Sequence, residues 1–379
     1  MRFAFTEEQE ELRRAARSFL RDHSSPSQVR QAMATDAGYD SEVWRRIGTE
    51  LGWTSIIIPE AYGGAGLSYV ELIALMEEMG GALLCAPFFS SICLAANALL
   101  IGASEQQKLA YLPAIASGQS IATLAYTESN GHWDATAIEA VARPDDGDVI
   151  LRGVKTFVPD GHTADVLIVA ARHPGSFREE GISLFVVPTD TRGVARRVLP
   201  TMDQTRRQAE VRFDDVRVPV ASRIGAEGEG WRILQHTLDR AAVALSAEQV
   251  GGAQRCLDLS VEYAKQRIQF GRPIGSFQAI KHKCADMLLQ VESARSASYY
   301  AGWASATDDP ELPVLASLAK AYCSDAYFHC AAESIQVHGG VGFTWEYDVQ
   351  LYFKRAKSSE TLLGNATYHR ELVAQRIGL

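Results

Sequence analysis

Apolar side chains recur every three or four residues over about the first 120 positions, and again from about position 225 onward. This period is typical of amphipathic helices that bury one face. A serine or threonine followed three positions later by Glu or Gln indicates helix starts at Thr6, Ser68 and Ser104. Ser41 is predicted to cap a further helix. We therefore expect helices at both ends of the chain.

The middle of the chain has a different pattern. Short runs rich in Val, Ile and Thr alternate with turn signals between residues 121 and 224. Two such runs flank Asp145–Asp148, which predicts a β-hairpin. Their regular spacing is typical of an antiparallel barrel or sandwich. The predicted class is α+β, with an N-terminal helical domain (1–120), a middle antiparallel β-barrel or sandwich domain (121–224) and a C-terminal four-helix bundle (225–379).

The bundle pattern is interrupted at the segment 271–275, which reads GRPIG. Ser276 is predicted to cap the helix that follows. Arg267, Gln269 and Phe270 lie at the break, and they offer a guanidinium fork for a diphosphate, an amide and an aromatic face. Glycine at 271 leaves backbone open to close approach. The alternative interpretation is a helix hairpin whose tip carries an exposed arginine.

Three separated motifs resemble those of the acyl-CoA dehydrogenase family. Residues 263–278 resemble the signature Tyr-Ala-x-x-Arg-x-x-Phe-Gly-x-x-Ile-x-x-Phe-Gln, residues 336–342 resemble Gln-x-x-Gly-Gly-x-Gly, and residues 59–66 resemble Pro-Glu-x-x-Gly-Gly-x-Gly. The resemblance covers nearly the whole chain and extends to the helix–sheet–helix order. It implies an FAD-dependent enzyme of lipid catabolism (β-oxidation) that converts an acyl-CoA to a trans-2-enoyl-CoA, with an electron-transfer flavoprotein as acceptor.

The resemblance also assigns residues to the flavin. Those assigned are Tyr126, Thr127 and Phe157 beside the isoalloxazine ring, and Arg267, Gln269, Phe270, Gln336, Gly339 and Gly340 around the diphosphate and adenosine. In the family the second set comes from a neighbouring subunit, which implies a homo-oligomer such as a tetramer, or a heterotetramer. Two positions depart from the family pattern. Trp133 replaces a serine, and Pro159 replaces a threonine and has no backbone N–H to donate.

The position of the catalytic base is the main departure from the family pattern. Abstraction of the α-proton needs a carboxylate, and most family members carry a glutamate where this chain has the segment 362–365, LLGN. Leucine cannot accept a proton, and Glu360 is not expected to reach the same place. A minority, including isovaleryl-CoA dehydrogenase, carry the base before an arginine early in the bundle. Asp239 and Arg240 stand at that place here.

Asp239 is therefore the candidate base. Burial would raise the pKa of an aspartate from about 3.9, and the adjacent Arg240 would lower it again. The alternative is an ordinary charged pair on a helix face, since ion-pair networks also perturb carboxylates.

Charge and composition exclude several other functions. The formal net charge of −9 argues against binding to nucleic acid or to an anionic membrane. The N-terminal segment is too charged for a signal peptide, and no apolar run is long enough to span a bilayer. The six cysteines have no metal-binding spacing, and Cys323 and Cys330 are expected to be core residues. We expect no metal site and a reducing, cytoplasmic location.

Two alternatives to the dehydrogenase remain open. One is a catalytically silent partner subunit, as in some actinobacterial enzymes that resemble this family; the missing glutamate, Trp133 and Pro159 fit it. The other is a flavin monooxygenase or nitroalkane oxidase on the same fold. For a dehydrogenase, the leucines at 362 and 363 and the small residues Ala241, Ala242 and Ala244 favour a branched or polycyclic acyl chain, such as a steroid side chain.

Overall fold

The computed structural model describes residues 5–379. Within it the chain forms two compact units, one made of residues 5–31, 68–84 and 242–379, the other of residues 32–67 and 85–241. The first unit contains most of the C-terminal helices, and the second contains the large β-sheet. The domain boundaries expected from the sequence stay a prediction.

The helices begin and end close to the positions that the pattern indicates. They are α1 (Glu7–His23), α2 (Pro26–Ala34), α3 (Ser41–Thr49), α4 (Tyr69–Gly81), α5 (Asn97–Gly102), α6 (Glu105–Ala116), α7 (Gly230–Gln266), α8 (Gln278–Ala306), α9 (Leu312–His338), α10 (Val349–Thr361) and α11 (Ala366–Arg376). A π-helical segment, Phe89–Ala96, precedes α5, and all of its residues are buried.

Side-chain capping explains several of the helix starts. Thr6, Ser68 and Ser104 each form the predicted capping box. The prediction for Ser41 was wrong by one residue, because Asp40 accepts from the first free N–H groups of α3. Ser276 does not cap α8 either, since its hydroxyl donates to the carbonyl of Pro273.

The large sheet is mixed. Its strands are β1 (Ala122–Ala125), β2 (Val141–Asp145), β3 (Asp148–Pro159), β4 (Val166–Arg172), β5 (Ile182–Pro188), β6 (Val194–Val198), β7 (Gln208–Pro219) and β8 (Arg223–Ile224), in the order β6-β7-β3-β2-β4-β5-β8. Most pairs are antiparallel, as predicted, but β4 pairs in parallel with both β1 and β2. The predicted hairpin joins β2 to β3, with Asp146 and Gly147 both at positive φ, as a tight two-residue turn requires.

In the first unit, α9 packs against α8, α10 and α11. Val250, Ala294, Cys323 and Ala326 form a buried cluster there. The predicted fourth bundle helix is two helices, because the chain turns between α10 and α11: Leu363 has φ +65° and Gly364 has φ +110°. This turn, residues 361–365, is called the α10–α11 turn below.

Glycine allows two helices of this unit to touch backbone to backbone. A Cβ added at Gly251 of α7 would lie 1.8 Å from the carbonyl oxygen of Glu77 on α4, and one at Gly80 of α4 would lie 2.0 Å from that of Glu248 on α7. Any larger side chain at these positions would separate the helices.

Two kinds of feature are absent from the part of the chain that the structure describes. No helix among residues 5–379 is long and apolar enough to cross a membrane. Over the same residues, no group of three or more His, Cys, Asp or Glu side chains could hold a metal ion. Cys323 and Cys330 are buried, as expected.

Candidate active site

A buried ion pair connects the two segments assigned to the flavin ring. The Nζ of Lys155, on β3, donates to Oε1 of Glu128 at 2.6 Å and to the carbonyl of Tyr126 at 3.3 Å. The same carboxylate oxygen accepts from the backbone N–H groups of Glu139 and Ala140 at 3.0 and 2.9 Å. Burial lowers the pKa of Lys155, and the charge of Glu128 opposes that shift. The sequence analysis did not single out Lys155 or Glu128 as a pair.

Backbone hydrogen bonds bring Thr127 and Phe157 to neighbouring positions. The N–H of Thr156 donates to the carbonyl of Thr127 at 2.9 Å, and the hydroxyl of Thr127 donates back to the carbonyl of Thr156 at 2.5 Å. The register of β3 against β7 shifts between Lys155 and Val158. At this irregularity Phe157 has φ +54° and is 50% exposed. A bulge of this kind re-aims a side chain out of the sheet.

Two departures from the family pattern, Pro159 and Trp133, lie at the end of β3 and in the loop after β1. Pro159 ends β3, where its carbonyl accepts from the hydroxyl of Thr123 at 2.7 Å. Asp160 follows with φ +51°, and its carboxylate accepts from Ser90 of the π-helical segment at 2.7 Å. Trp133 is half-buried in the loop after β1. A proline can therefore be accommodated here, because other groups anchor the end of the strand.

The candidate base lies on the first turns of α7. Glu229 precedes this helix and accepts from the N–H of Ala226 at 2.9 Å, which fixes the loop that leads into it. Asp239 is 8% exposed, and Arg240 is half-buried. The small residues that follow are fully buried, namely Ala241, Ala242 and Ala244. The helix thus carries an aspartate with little exposure to solvent, followed along the chain by small buried side chains.

The residues assigned to the FAD diphosphate lie on a two-residue hairpin and at a helix end. Strands β9 (Ile268–Gln269) and β10 (Arg272–Pro273) pair in antiparallel fashion, and Phe270 and Gly271 form the turn at φ +55° and +77°. Phe270 is 92% exposed. Arg267 and Gln269 are exposed beside it, as the sequence analysis placed them.

An aromatic stack joins the end of α7, just before this hairpin, to the Gln-x-x-Gly-Gly-x-Gly motif at residues 336–342. Tyr263 stacks on His338 with ring centroids 4.3 Å apart. His338 ends α9, immediately before Gly339 and Gly340, and Gln336 on the preceding turn is exposed. No described atom lies within 4 Å of a Cβ built on Gly339 or Gly340, so this backbone is open to a ligand. His338 was missed by the sequence analysis, which considered only the glycines and Gln336.

The segment that most family members use for the base carries apolar side chains here. Leu363 is 4% exposed, and Leu362 is half-buried. The nearby carboxylate of Glu360 pairs with Lys357 at 2.8 Å.

Comparison with known proteins gives the family. The N-terminal, middle and C-terminal domains of acyl-CoA dehydrogenase match residues 6–119, 123–216 and 228–378. The chain belongs to the acyl-CoA dehydrogenase family. Acyl-CoA dehydrogenases are FAD-dependent oxidoreductases that act on CH–CH bonds of acyl-CoA. The chain has the family's three-domain fold, as predicted.

Several acyl-CoA dehydrogenases are similar over the full length. The acyl-CoA dehydrogenase IpdE2 of Mycolicibacterium smegmatis is 35% identical over 95% of each chain. Butyryl-CoA dehydrogenase from Megasphaera elsdenii has a TM-score of 0.92 at 29% identity and covers 100% of both chains. A chain of the ChsE4–ChsE5 complex from Mycobacterium tuberculosis has a TM-score of 0.90 at 28% identity, with 100% of this chain and 99% of that chain covered.

The residues present fit FAD as the cofactor of an acyl-CoA dehydrogenase. Phe157 offers an exposed aromatic face, Arg267 offers a guanidinium that suits a diphosphate, and Gly339 and Gly340 offer open backbone. The set contains aromatic, cationic and unhindered amide groups, which are the chemistries that a flavin dinucleotide needs.

Proposed function

We propose that the chain desaturates an acyl-CoA thioester between Cα and Cβ, with Asp239 as the base for the α-proton. FAD, when bound, supplies the acceptor for the β-hydride. The observation that carries this proposal is the burial of the Asp239 carboxylate, which is 8% exposed, in a chain that has leucine at the usual base position. A general base must lie out of bulk water and within reach of its proton.

The tail of FAD in this proposal is held by the hairpin and the end of α9. Arg267 and Gln269 bind the diphosphate, and the backbone at Gly339 and Gly340 approaches the dinucleotide closely. The proposed assembly is a homo-oligomer or a heterotetramer, and the proposed electron acceptor is an electron-transfer flavoprotein.

The test is an anaerobic titration of the flavin with a panel of acyl-CoA thioesters. The wild type is expected to lose its visible flavin absorbance with one class of thioester. Asp239→Asn should retain flavin but react at least about a hundredfold more slowly, since general-base catalysis contributes that much or more. Asp258→Asn is the matched control, because Asp258 lies on the same helix and accepts from Gln254 at 2.8 Å. If Asp239→Asn reduced its flavin at the wild-type rate, Asp239 would not be the base.

The proposed substrate class rests on the family resemblance, which assigns the segment 362–365 to the usual base position. Leucine in place of glutamate there, and the alanines that follow Asp239 along α7, favour a branched or polycyclic acyl chain. Branched and steroid-type thioesters should therefore reduce the flavin faster than octanoyl-CoA does. Fast reduction by octanoyl-CoA with none by the bulky thioesters would refute this assignment.

A second candidate function is a silent subunit of a heteromeric dehydrogenase. The observation that favours it is the apolar α10–α11 turn, together with the similarity to a chain of the ChsE4–ChsE5 complex. In that case the protein expressed alone would carry no flavin, and co-expression with a catalytic partner would restore it. One flavin per chain and reduction by acyl-CoA in the protein alone would exclude the silent role.

A further inference from the structure

A lysine that the proposed chemistry does not use is fully buried in the C-terminal helices. Lys320 of α9 is 0% exposed. Its Nζ donates to the hydroxyl of Ser324 at 2.8 Å, to the carbonyl of Glu360 at 3.1 Å and to that of Gly364 at 3.0 Å. An ammonium group has three protons to donate, and each has an acceptor here. Two of those acceptors are main-chain carbonyls, one just before the α10–α11 turn and one within it.

Two more buried side chains bind the same stretch of backbone. His369 of α11, 4% exposed, has Nε2 at 3.1 Å from the carbonyl of Leu363 and Nδ1 at 3.2 Å from the hydroxyl of Ser317. Gln249 of α7 donates from Nε2 to the carbonyl of Ser359 at 3.1 Å and to the hydroxyl of Ser324 at 3.0 Å. The last carbonyls of a helix have no partner within the helix. At the end of α10, side chains of α7 and α9 bind two of those carbonyls, and His369 of α11 binds the carbonyl of Leu363 in the turn that follows.

The backbone between these bonds is in an unfavourable conformation. Leu363 has φ +65°, a region that residues with a Cβ rarely adopt, and Gly364 follows at φ +110°. Such a conformation persists when the surroundings over-determine it. The bonds from Lys320 and His369 lie on both sides of Leu363 and provide that restraint.

We propose that Lys320, assisted by Gln249 and His369, is a positioning residue that fixes the path of the α10–α11 turn and so sets where Leu362 and Leu363 meet the acyl chain. The clause about the acyl chain rests on the proposed function, in which this turn borders the substrate. The restraint of the turn itself rests on the hydrogen bonds alone.

The first readout is hydrogen exchange of the flavin-loaded protein at the amides of Leu362 and Gly364, which bond to the carbonyls of Ser358 and Thr361. Lys320→Met removes the donors at nearly constant length. It should speed exchange at these amides by about tenfold or more, since local opening sets the exchange rate. Lys357→Met is the matched control: Lys357 contacts the carboxylate of Glu360 and not its carbonyl. Exchange in that variant should match the wild type.

The second readout is substrate selectivity. In Lys320→Met the ratio of kcat/KM for a branched thioester to that for octanoyl-CoA should change by about tenfold, because a displaced leucine alters the fit of the acyl chain. A purely structural role would lower the fraction of active protein and leave this ratio unchanged. Wild-type exchange at Leu362 and Gly364 in folded Lys320→Met would overturn the proposal.

If Lys320→Met does not fold, His369→Gln provides the same two readouts. Wild-type exchange at these amides in that variant would equally overturn the proposal. Failure of the proposed function would be recognised separately, because no thioester of the panel would then reduce the flavin of the wild type. Hydrogen exchange would still test whether Lys320 restrains the α10–α11 turn.

Discussion

Replacing Lys155 by methionine tests how the two flavin-ring segments are held together. The side chains of Lys155 and Glu128 are 0% and 6% exposed, and their charged atoms lie 2.6 Å apart. Both charges lose hydration on burial, so the intact pair contributes little net stability, but removal of one partner leaves the other charged in a dry site. Breaking such a pair costs about 3–5 kcal/mol. Two backbone N–H groups still bind the carboxylate, so we expect about 3 kcal/mol, the lower end of that range.

The measurement is the free energy of unfolding of the holoprotein from urea titration, followed by circular dichroism. Arg197→Met is the matched control in the same sheet. Arg197 pairs with Glu210 at 2.7 Å, but its side chain is 64% exposed. Exposed pairs contribute about 1 kcal/mol or less, so this variant should stay close to the wild type.

The double variant identifies the cause of the loss. In Glu128→Gln/Lys155→Met no charge is left buried, and the glutamine oxygen can still accept from the two N–H groups. It should therefore be more stable than Lys155→Met by about 1 kcal/mol or more, because the effects of contacting residues are not additive. Equal losses in Lys155→Met and Arg197→Met, or no recovery in the double variant, would refute the reasoning.

Two further predictions concern glycine packing and pH. Gly251→Ala should destabilise the protein by about 3 kcal/mol or prevent folding, since its Cβ would lie 1.8 Å from the Glu77 carbonyl oxygen. A Cβ added at Gly340 meets no described atom within 4 Å beyond the adjacent residues. Gly340→Ala should therefore change stability by about 0.5 kcal/mol or less, while it lowers flavin content. Equal stability of the two variants in urea would contradict this. Burial lowers the pKa of Lys320 from 10.5 to about 7. Between these two pH values the unfolded chain therefore binds more protons than the folded protein does. The stability of the wild type relative to Lys320→Met should thus rise with pH above about 7. A difference that falls with pH in urea titrations would contradict it.

Titratable neighbours of Lys320 oppose part of that shift, because Cys323, Glu360 and Asp325 raise its pKa against the effect of burial. Burial, followed by the charges of Lys320 and Arg376, lowers the pKa of His369 to about 3. His369 is therefore neutral throughout the pH range in which Lys320 titrates. The change in stability in that range can then be assigned to Lys320.

Local rules predicted those parts of the fold in which neighbours along the chain decide the conformation. Thr6, Ser68 and Ser104 bond to residues three positions away, and the turn at Asp146–Gly147 is set by its own two residues. The parallel pairing of β1 with β4 depends on residues more than forty positions apart, such as Ala122 and Val166. No periodicity within a single segment records such a partner.

The members of the candidate site stay a prediction from the family resemblance, and the groups that hold them in place could not be predicted from the sequence. The family resemblance assigned Phe157 and the segment at 362–365, and both lie in ordered parts of the fold. The hydrogen-bond partners of Lys155, Lys320 and His369 were not predicted. The sequence around a lone lysine or histidine in an apolar pattern does not indicate which carbonyl or carboxylate the side chain will bind. Their roles appear once distant segments are brought together, as the hydrogen bonds to Glu128 and Gly364 show.

Strain links these observations. Among residues 5–379, four apolar residues have positive φ: Leu83, Phe157, Phe270 and Leu363. All except Leu83 lie in segments that the resemblance assigns to cofactor or base. A left-handed conformation costs such residues about 1–2 kcal/mol each. Each of these three is restrained by hydrogen bonds of adjacent backbone: those of Thr156 to Thr127, the β9–β10 pairing, and those of Lys320 and His369. Glycine would relieve the cost but remove the aromatic or leucine surface. The chain therefore retains locally unfavourable side chains where a ligand is proposed to make contact, and places the compensating hydrogen bonds in the surrounding structure.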